Sequence, residues 1–232
     1  MEKSIDNELT PELIVRYLDE VVRLYQPNVK IVWKDDSKLM KILFYVSFMF
    51  IWNKGFMTKY ITVVGSKIYV PKYSWMNKPD HSKLSTIIHE GLHLWDNHTN
   101  PLWQVAYFMP QVAFLLLGMI LGIFVSPWCL LICLGIVIPL PAPWRFDYEV
   151  RAYRLNLMMR RRVFGWQPDS QIYCDYYEHC VEQMTKHWYF YAMPFDKIVR
   201  KHLDKWDGNH PYVREVMGFL EKENLFRRNS LY

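Results

Sequence analysis

Ser85-Thr86-Ile87-Ile88-His89-Glu90-Gly91-Leu92-His93-Leu94-Trp95-Asp96 decides how the rest of the chain is read. Ile87, Ile88, Leu92 and Leu94 bury a helix, predicted over residues 83–97 with Ser82 or Ser85 as its cap and Asn97 to Pro101 as its stop. Residues four apart on a helix share a face, so His89 and His93 turn their imidazoles toward one point. Glu90 follows His89 directly and lies beside that point without occupying it. Zinc hydrolysis requires this pattern: two imidazoles on the ion and a carboxylate that takes a proton from water. Asp96, seven residues after His89, shares the face. It is placed to accept an imidazole N–H, a contact that fixes the ring tautomer.

A catalytic zinc also needs a third protein ligand and one open position. Glu149, in Asp147-Tyr148-Glu149-Val150-Arg151-Ala152-Tyr153, is the preferred third ligand. His98, Asp96 and Asp147 are the alternatives. A donor for charge on a carbonyl oxygen is also required, and Tyr153, Arg151, His179 and His187 are candidates among which the sequence does not choose. Asp175, Glu178 and His179 together read as a solvated helix face rather than a second metal site.

Working outward, Glu12 to Tyr25 reads as an amphipathic helix that Thr10 caps and Pro11 opens. Val29 to Trp33 alternates as a strand. The apolar run from Ile42 to Trp52 has 11 residues, too few to span a bilayer, and reads as a buried helix behind the site. Tyr60 to Val64, the turn Gly65-Ser66 and Lys67 to Val70 form a hairpin that Pro71 stops. Downstream come a charged helix over residues 146–163 and another from Asp169 or Ser170 to about Tyr191. Two short amphipathic helices follow, Phe195 to Trp206 and Pro211 to Glu223. The fold class expected is α+β, mainly helical.

From Asn97 to Trp144 there is no Lys, Arg, Asp or Glu. Val105 to Val125 has 21 residues, enough to cross a bilayer. Trp128 to Leu140 has 13, about 20 Å as a helix against about 30 Å of hydrocarbon. A hydrophobic helical hairpin over residues 105–143, turning at Ser126-Pro127 and inserted in a membrane, is therefore expected. Trp75, Trp95, Trp103, Trp128 and Trp144 serve either as its interface belt or as core. Arg145, Arg151, Arg154 and Arg160 to Arg162 follow it and place the remainder on the cytoplasmic side. The alternative is a hairpin buried in an oligomer. Residues 1–104 and 144–232 then form a single domain. Met1 to Asp6 is polar and acidic, so no signal peptide is expected.

Composition narrows the function classes. Apolar residues at 51% and aromatics at 17% support a substantial core. The net charge of +5 comes from scattered Lys and Arg rather than a basic stripe interleaved with aromatics, so nucleic acid is not an expected partner. The four cysteines include no CxxC pair and read as reduced, small apolar residues.

His89-Glu90-Gly91-Leu92-His93 with a glutamate on a later helix resembles the gluzincin branch of the zinc peptidases. A long uncharged hairpin between the two helices resembles the HtpX-like and CAAX-prenyl-protease family of membrane peptidases, over roughly residues 60–160. That family's second motif is Glu-x-x-Ala-Asp. Here Glu149-Val150-Arg151-Ala152-Tyr153 keeps the Glu and Ala and puts Tyr153 where the acid stands, with Asp96 as its substitute. The resemblance implies a zincin-like core of backing helix, small sheet and active-site helix. It further implies Zn2+ on His89, His93 and Glu149, Glu90 as proton acceptor, and a peptide or protein substrate that pairs with the strand Lys67 to Val70. Two other readings stay open: a non-catalytic structural protein with a structural metal, anchored by the hairpin, and a hydrolase of the same fold acting on another bond. The intact Glu90 weighs against the first, because a purely structural site has no use for a base.

Overall fold

The computed structural model describes residues 11–51, 55–109, 111–137, 141–186, 192–205 and 209–225. Thr10, His187 and the ends of several expected helices lie outside them. The fold is mostly helical with one small sheet.

Three consecutive apolar residues bury both faces of β1 (Lys30–Trp33), with Ile31 and Trp33 in the main core and Val32 against Met40 and Tyr69. β2 (Thr62–Val64) and β3 (Lys67–Val70) form the expected hairpin. Gly65 turns it at φ +60°, a left-handed position that glycine takes without a Cβ clash. β3 also pairs parallel with β1, and the strand order is β1-β3-β2. A parallel pair needs a crossover, and α2 (Lys38–Ile51) supplies it. This topology corrects the expected substrate strand. Lys67 to Val70 is central and paired on both sides, so the sheet's outer edges belong to β1 and β2.

The described side chains of α2, over residues 38–45, do not form the expected buried helix behind the site. Met40 packs on Val32 and Tyr69, while Leu39, Ile42 and Tyr45 are exposed. The backing comes instead from α1 (Glu12–Glu20) and α10 (Pro211–Lys222), whose Ile14, Tyr17, Tyr212 and Val216 join one core with Ile87, Ile88 and Leu92.

That core seats α4 (Asp80–Thr99), the helix of the two histidines. It begins earlier than predicted because Pro79 takes the cap position. Ser82 and Ser85 therefore fall inside it. α3 (Lys72–Met76) leads into it and α5 (Trp103–Tyr107) follows it. α7 (Pro143–Arg162) runs antiparallel beside α4, as contacts show along its length: Asn100 with Tyr148, Asp96 with Arg151 and Ser85 with Asn156. α8 (Gln171–Thr185) and α9 (Asp196–Leu203) cover the far face of α7 in a second core of Val150, Leu157, Cys180 and Val199.

The uncharged stretch departs from expectation. α5 ends at Tyr107, α6 runs only from Gln111 to Phe124, and a 3-10 helix occupies Pro127–Val137. The 14 residues of α6 are about 21 Å long, well short of about 30 Å of hydrocarbon. No helix among the described residues is long and apolar enough to cross a membrane. The expectation that residues 105–143 span a membrane is thereby corrected, and the cytoplasmic orientation drawn from that span goes with it. α6 and the 3-10 helix pack on each other instead. Gly118, Gly122 and Gly135 leave room for Cys133, Leu130 and Phe114, which a Cβ at those glycines would strike. The arginines that suggested orientation have internal partners. Arg145 is buried over the Tyr107 ring, Arg154 donates to the His202 carbonyl, and Arg160 lies against Trp166 and Tyr176.

Candidate metal centre

α4 and α7 bring three potential ligands to one point. Nε2 of His89 lies 3.5 Å from one oxygen of Glu149, and Nε2 of His93 lies 3.5 Å from the other. All three ligand atoms fall within 4.8 Å of one another, and all three residues are buried. Atoms bound about 2.1 Å from a tetrahedral ion stand about 3.4 Å apart, so this spacing fits a zinc-sized cation. The donor set of two imidazoles and one carboxylate fits it equally.

The electrostatics favour the ligating forms at Glu149 and His93. Burial alone would raise the Glu149 carboxyl, but His93, His89 and the Tyr107 hydroxyl outweigh it and hold it at about 2. Burial pulls His93 down to about 4, leaving its ring neutral at pH 7. His89 goes the other way. Burial lowers it, but the hydrogen bond to Glu149 and the charges of Glu90 and Glu149 prevail and raise it.

Positioning contacts surround the cluster. Tyr107 donates to Glu149 from α5. The Asn156 amide lies 3.2 Å from Nδ1 of His89 and is held by the Ser85 hydroxyl at 3.1 Å. The Tyr153 ring meets His89 edge-on at 4.9 Å, and the Trp103 ring lies 5.7 Å from His93. Behind the helix, Tyr212 donates to the Ile88 carbonyl at 2.7 Å and Tyr25 to the Gly91 carbonyl at 3.1 Å. Gly91 is small for a reason: its Cβ would land on the Tyr212 and Tyr17 hydroxyls.

Glu90 stands outside the ligand cluster. It lines a cleft of about 850 Å³ together with His89, Tyr153 and Asn156. Among the described residues no hydrogen bond or ion pair engages its carboxylate. Burial raises it to about 7. The N-terminal approach to β2, Tyr60 and Ile61, lines the same cleft.

The other sequence candidates divide. His179 and Tyr153 reach the cleft. Arg151 does not, and instead pairs with Asp96 at 3.1 Å and with Asp147 at 3.6 Å. Asp96 is thus buried against a guanidinium rather than an imidazole, and burial raises it to about 7 despite Arg151. His98 stacks toward Tyr25, outside the ligand group. Glu178 is taken by Arg200 through two contacts of 2.6 Å, and Asp175 accepts from Gln171. Tyr107 and Asn156 escaped the sequence reading. Asn156 lies seven residues after Glu149 on the same helical face, a signal that was present. Tyr107 sat inside the uncharged run, where nothing distinguished it from packing. No protein-family model, curated protein or solved structure matches the chain, so the chemistry of this centre rests on its own residues.

Proposed function

We propose that the chain is a zinc-dependent peptidase in which His89, His93 and Glu149 hold the ion and Glu90 is the base. The observation that carries this reading is Glu90: a buried, unengaged carboxylate in a cleft beside three convergent ligands, of which it is not one. When bound, the ion supplies Lewis acidity, which polarises a carbonyl and acidifies water.

The remaining work falls to the protein. Glu90 accepts the proton of the attacking water and passes it to the leaving amine nitrogen. Tyr153 and His179, which line the cleft, are the candidate donors to the carbonyl oxygen as its charge grows. Asn156 and Tyr107 keep His89 and Glu149 in orientation. An extended substrate backbone is best matched to the outer edge of β2, since Tyr60 and Ile61 lead from that strand into the cleft.

Metal analysis with a peptide library tests the reading. Wild-type protein is expected to carry one zinc and cleave peptides, Glu90→Gln to keep zinc and lose cleavage, and His93→Ala to lose zinc. Equal zinc in wild type and His93→Ala would remove the site. Zinc without cleavage of any library member would leave a structural metal.

A further inference from the structure

The cleft extends past the metal ligands along one face of α7. Glu149, Tyr153, Asn156 and Arg160 stand at intervals of four, three and four residues, and the last three line the cleft. Arg160 is only 9% exposed. Its guanidinium lies 3.5 Å from the centre of the Tyr176 ring and 4.5 Å from that of Trp166, and its Nε has no hydrogen-bond partner among the described residues. Lys78 enters from the α4 side, with Nζ donating to the Thr86 hydroxyl at 2.8 Å. Among the described residues neither cation has a carboxylate at ion-pair distance.

The lining as a whole is cationic. Lys59, Lys78, Arg160 and Lys186 face Glu90 and Glu182, and Glu182 is already neutralised by Lys186 at 2.9 Å. Aromatic rings ease the burial of a guanidinium but do not neutralise it. Two unpaired cations of like sign in one cleft repel each other, and an anion held between them relieves both. A planar guanidinium and an ammonium are the groups that bind a carboxylate best.

We infer that Arg160 and Lys78 bind a carboxylate of the substrate, a specificity contact that rests on the peptidase reading above. Seven residues of α7 separate Tyr153 from Arg160, about 10 Å along the axis. An extended peptide covers that distance in about three residues. The carboxylate therefore belongs about three residues from the bond that is cut. It is either an acidic side chain or the peptide's own C-terminus.

Fluorescence anisotropy on the zinc-loaded Glu90→Gln protein tests this without turnover. The probes are fluorescein-labelled Gly/Ser/Ala hexapeptides: amidated with one glutamate at each position in turn, the glutamine counterparts, and the glutamine series with a free C-terminus. A glutamate or free-acid peptide is expected to bind at least about tenfold tighter than its neutral counterpart, and the series that gains identifies the source. Adding Arg160→Gln removes that preference, and adding Lys78→Gln weakens it several-fold. If Arg160→Gln fails to fold, Lys78→Gln decides alone, since an unchanged preference there overturns the inference. It is equally overturned if every probe binds within about twofold of its neutral counterpart, or if none binds. Cleavage by wild-type protein without charge preference sinks only this contact. A charge preference in a protein that cleaves no peptide sinks the peptidase reading and leaves the anion site.

Discussion

The side-chain amide of Asn156 lies 3.2 Å from Nδ1 of His89, on the same helix and the same face as Glu149. The amide nitrogen faces the ring here; a half-turn of the amide group exchanges its nitrogen and oxygen, lets Nδ1–H donate to the oxygen and frees the lone pair of Nε2 for an ion. The Ser85 and Tyr176 hydroxyls, 3.1 and 3.3 Å from the amide, suit either orientation because a hydroxyl both donates and accepts. Asn156→Leu should lower zinc affinity about 10- to 100-fold, whereas Asn156→Asp, which keeps an acceptor, should lose far less. Competition with a chromogenic chelator measures both. Equal affinities for the Leu and Asp variants would show that Asn156 does not orient the ring.

Gly91 is the second test position. A methyl group there would press on the Tyr212 and Tyr17 hydroxyls, which lie in the main core. Gly91→Ala should destabilise the fold by about 1–3 kcal/mol through overpacking, outweighing the helix propensity gained. Thermal unfolding reads this directly, and a raised Tm would contradict the packing described.

Lys34 gives a pH prediction. It is fully buried, donates to the Phe56 carbonyl at 2.8 Å and sits over the Phe56 ring. Burial lowers it from 10.5 to about 7. Between those values the unfolded chain holds a proton that the folded chain releases, so this lysine makes stability rise with pH across the window. Urea unfolding at about pH 7 and about pH 9.5 should show wild type gaining on Lys34→Met. A constant difference between the two proteins would mean that Lys34 titrates normally.

Arg151 is the partner of a buried carboxylate. Arg151→Leu leaves Asp96 without its counter-ion. Because that carboxyl already stands at about 7, taking up a proton offsets most of the loss, so the cost should be about 1 kcal/mol at pH 7 and larger at about pH 9. Zinc content should stay unchanged, because neither residue belongs to the ligand group. A stable Arg151→Leu protein that binds less zinc would reverse the roles assigned to this pair.

Local patterns in the chain were legible where one residue's neighbours decide its role. β-Branched residues and Gly65 marked β2 and β3 to within two residues, and helical spacing placed His89, Glu90 and His93 together. Glu149, on another helix, was a choice among several acids and histidines that spacing could not make. Strand order was not legible, because pairing β1 against β3 depends on a crossover that leaves no mark in either strand. Pro79 displaced the expected serine cap, a rivalry between two start signals that spacing cannot rank. The largest error came from the uncharged run. Apolar composition alone cannot separate a bilayer helix from two short helices packed through Gly118, Gly122 and Gly135. It also hid Tyr107, whose hydroxyl reaches Glu149.

The hairpin that interrupts the two site helices has a division of labour. Its stem, Trp103 to Tyr107, leans on His93 and Glu149. Its tip, α6 with the 3-10 helix, fills its own gaps. Length and sequence beyond the stem can therefore drift at little cost to the metal ligands, while the stem is tied to them. Within this hairpin the tip is more open to being reshaped than the stem.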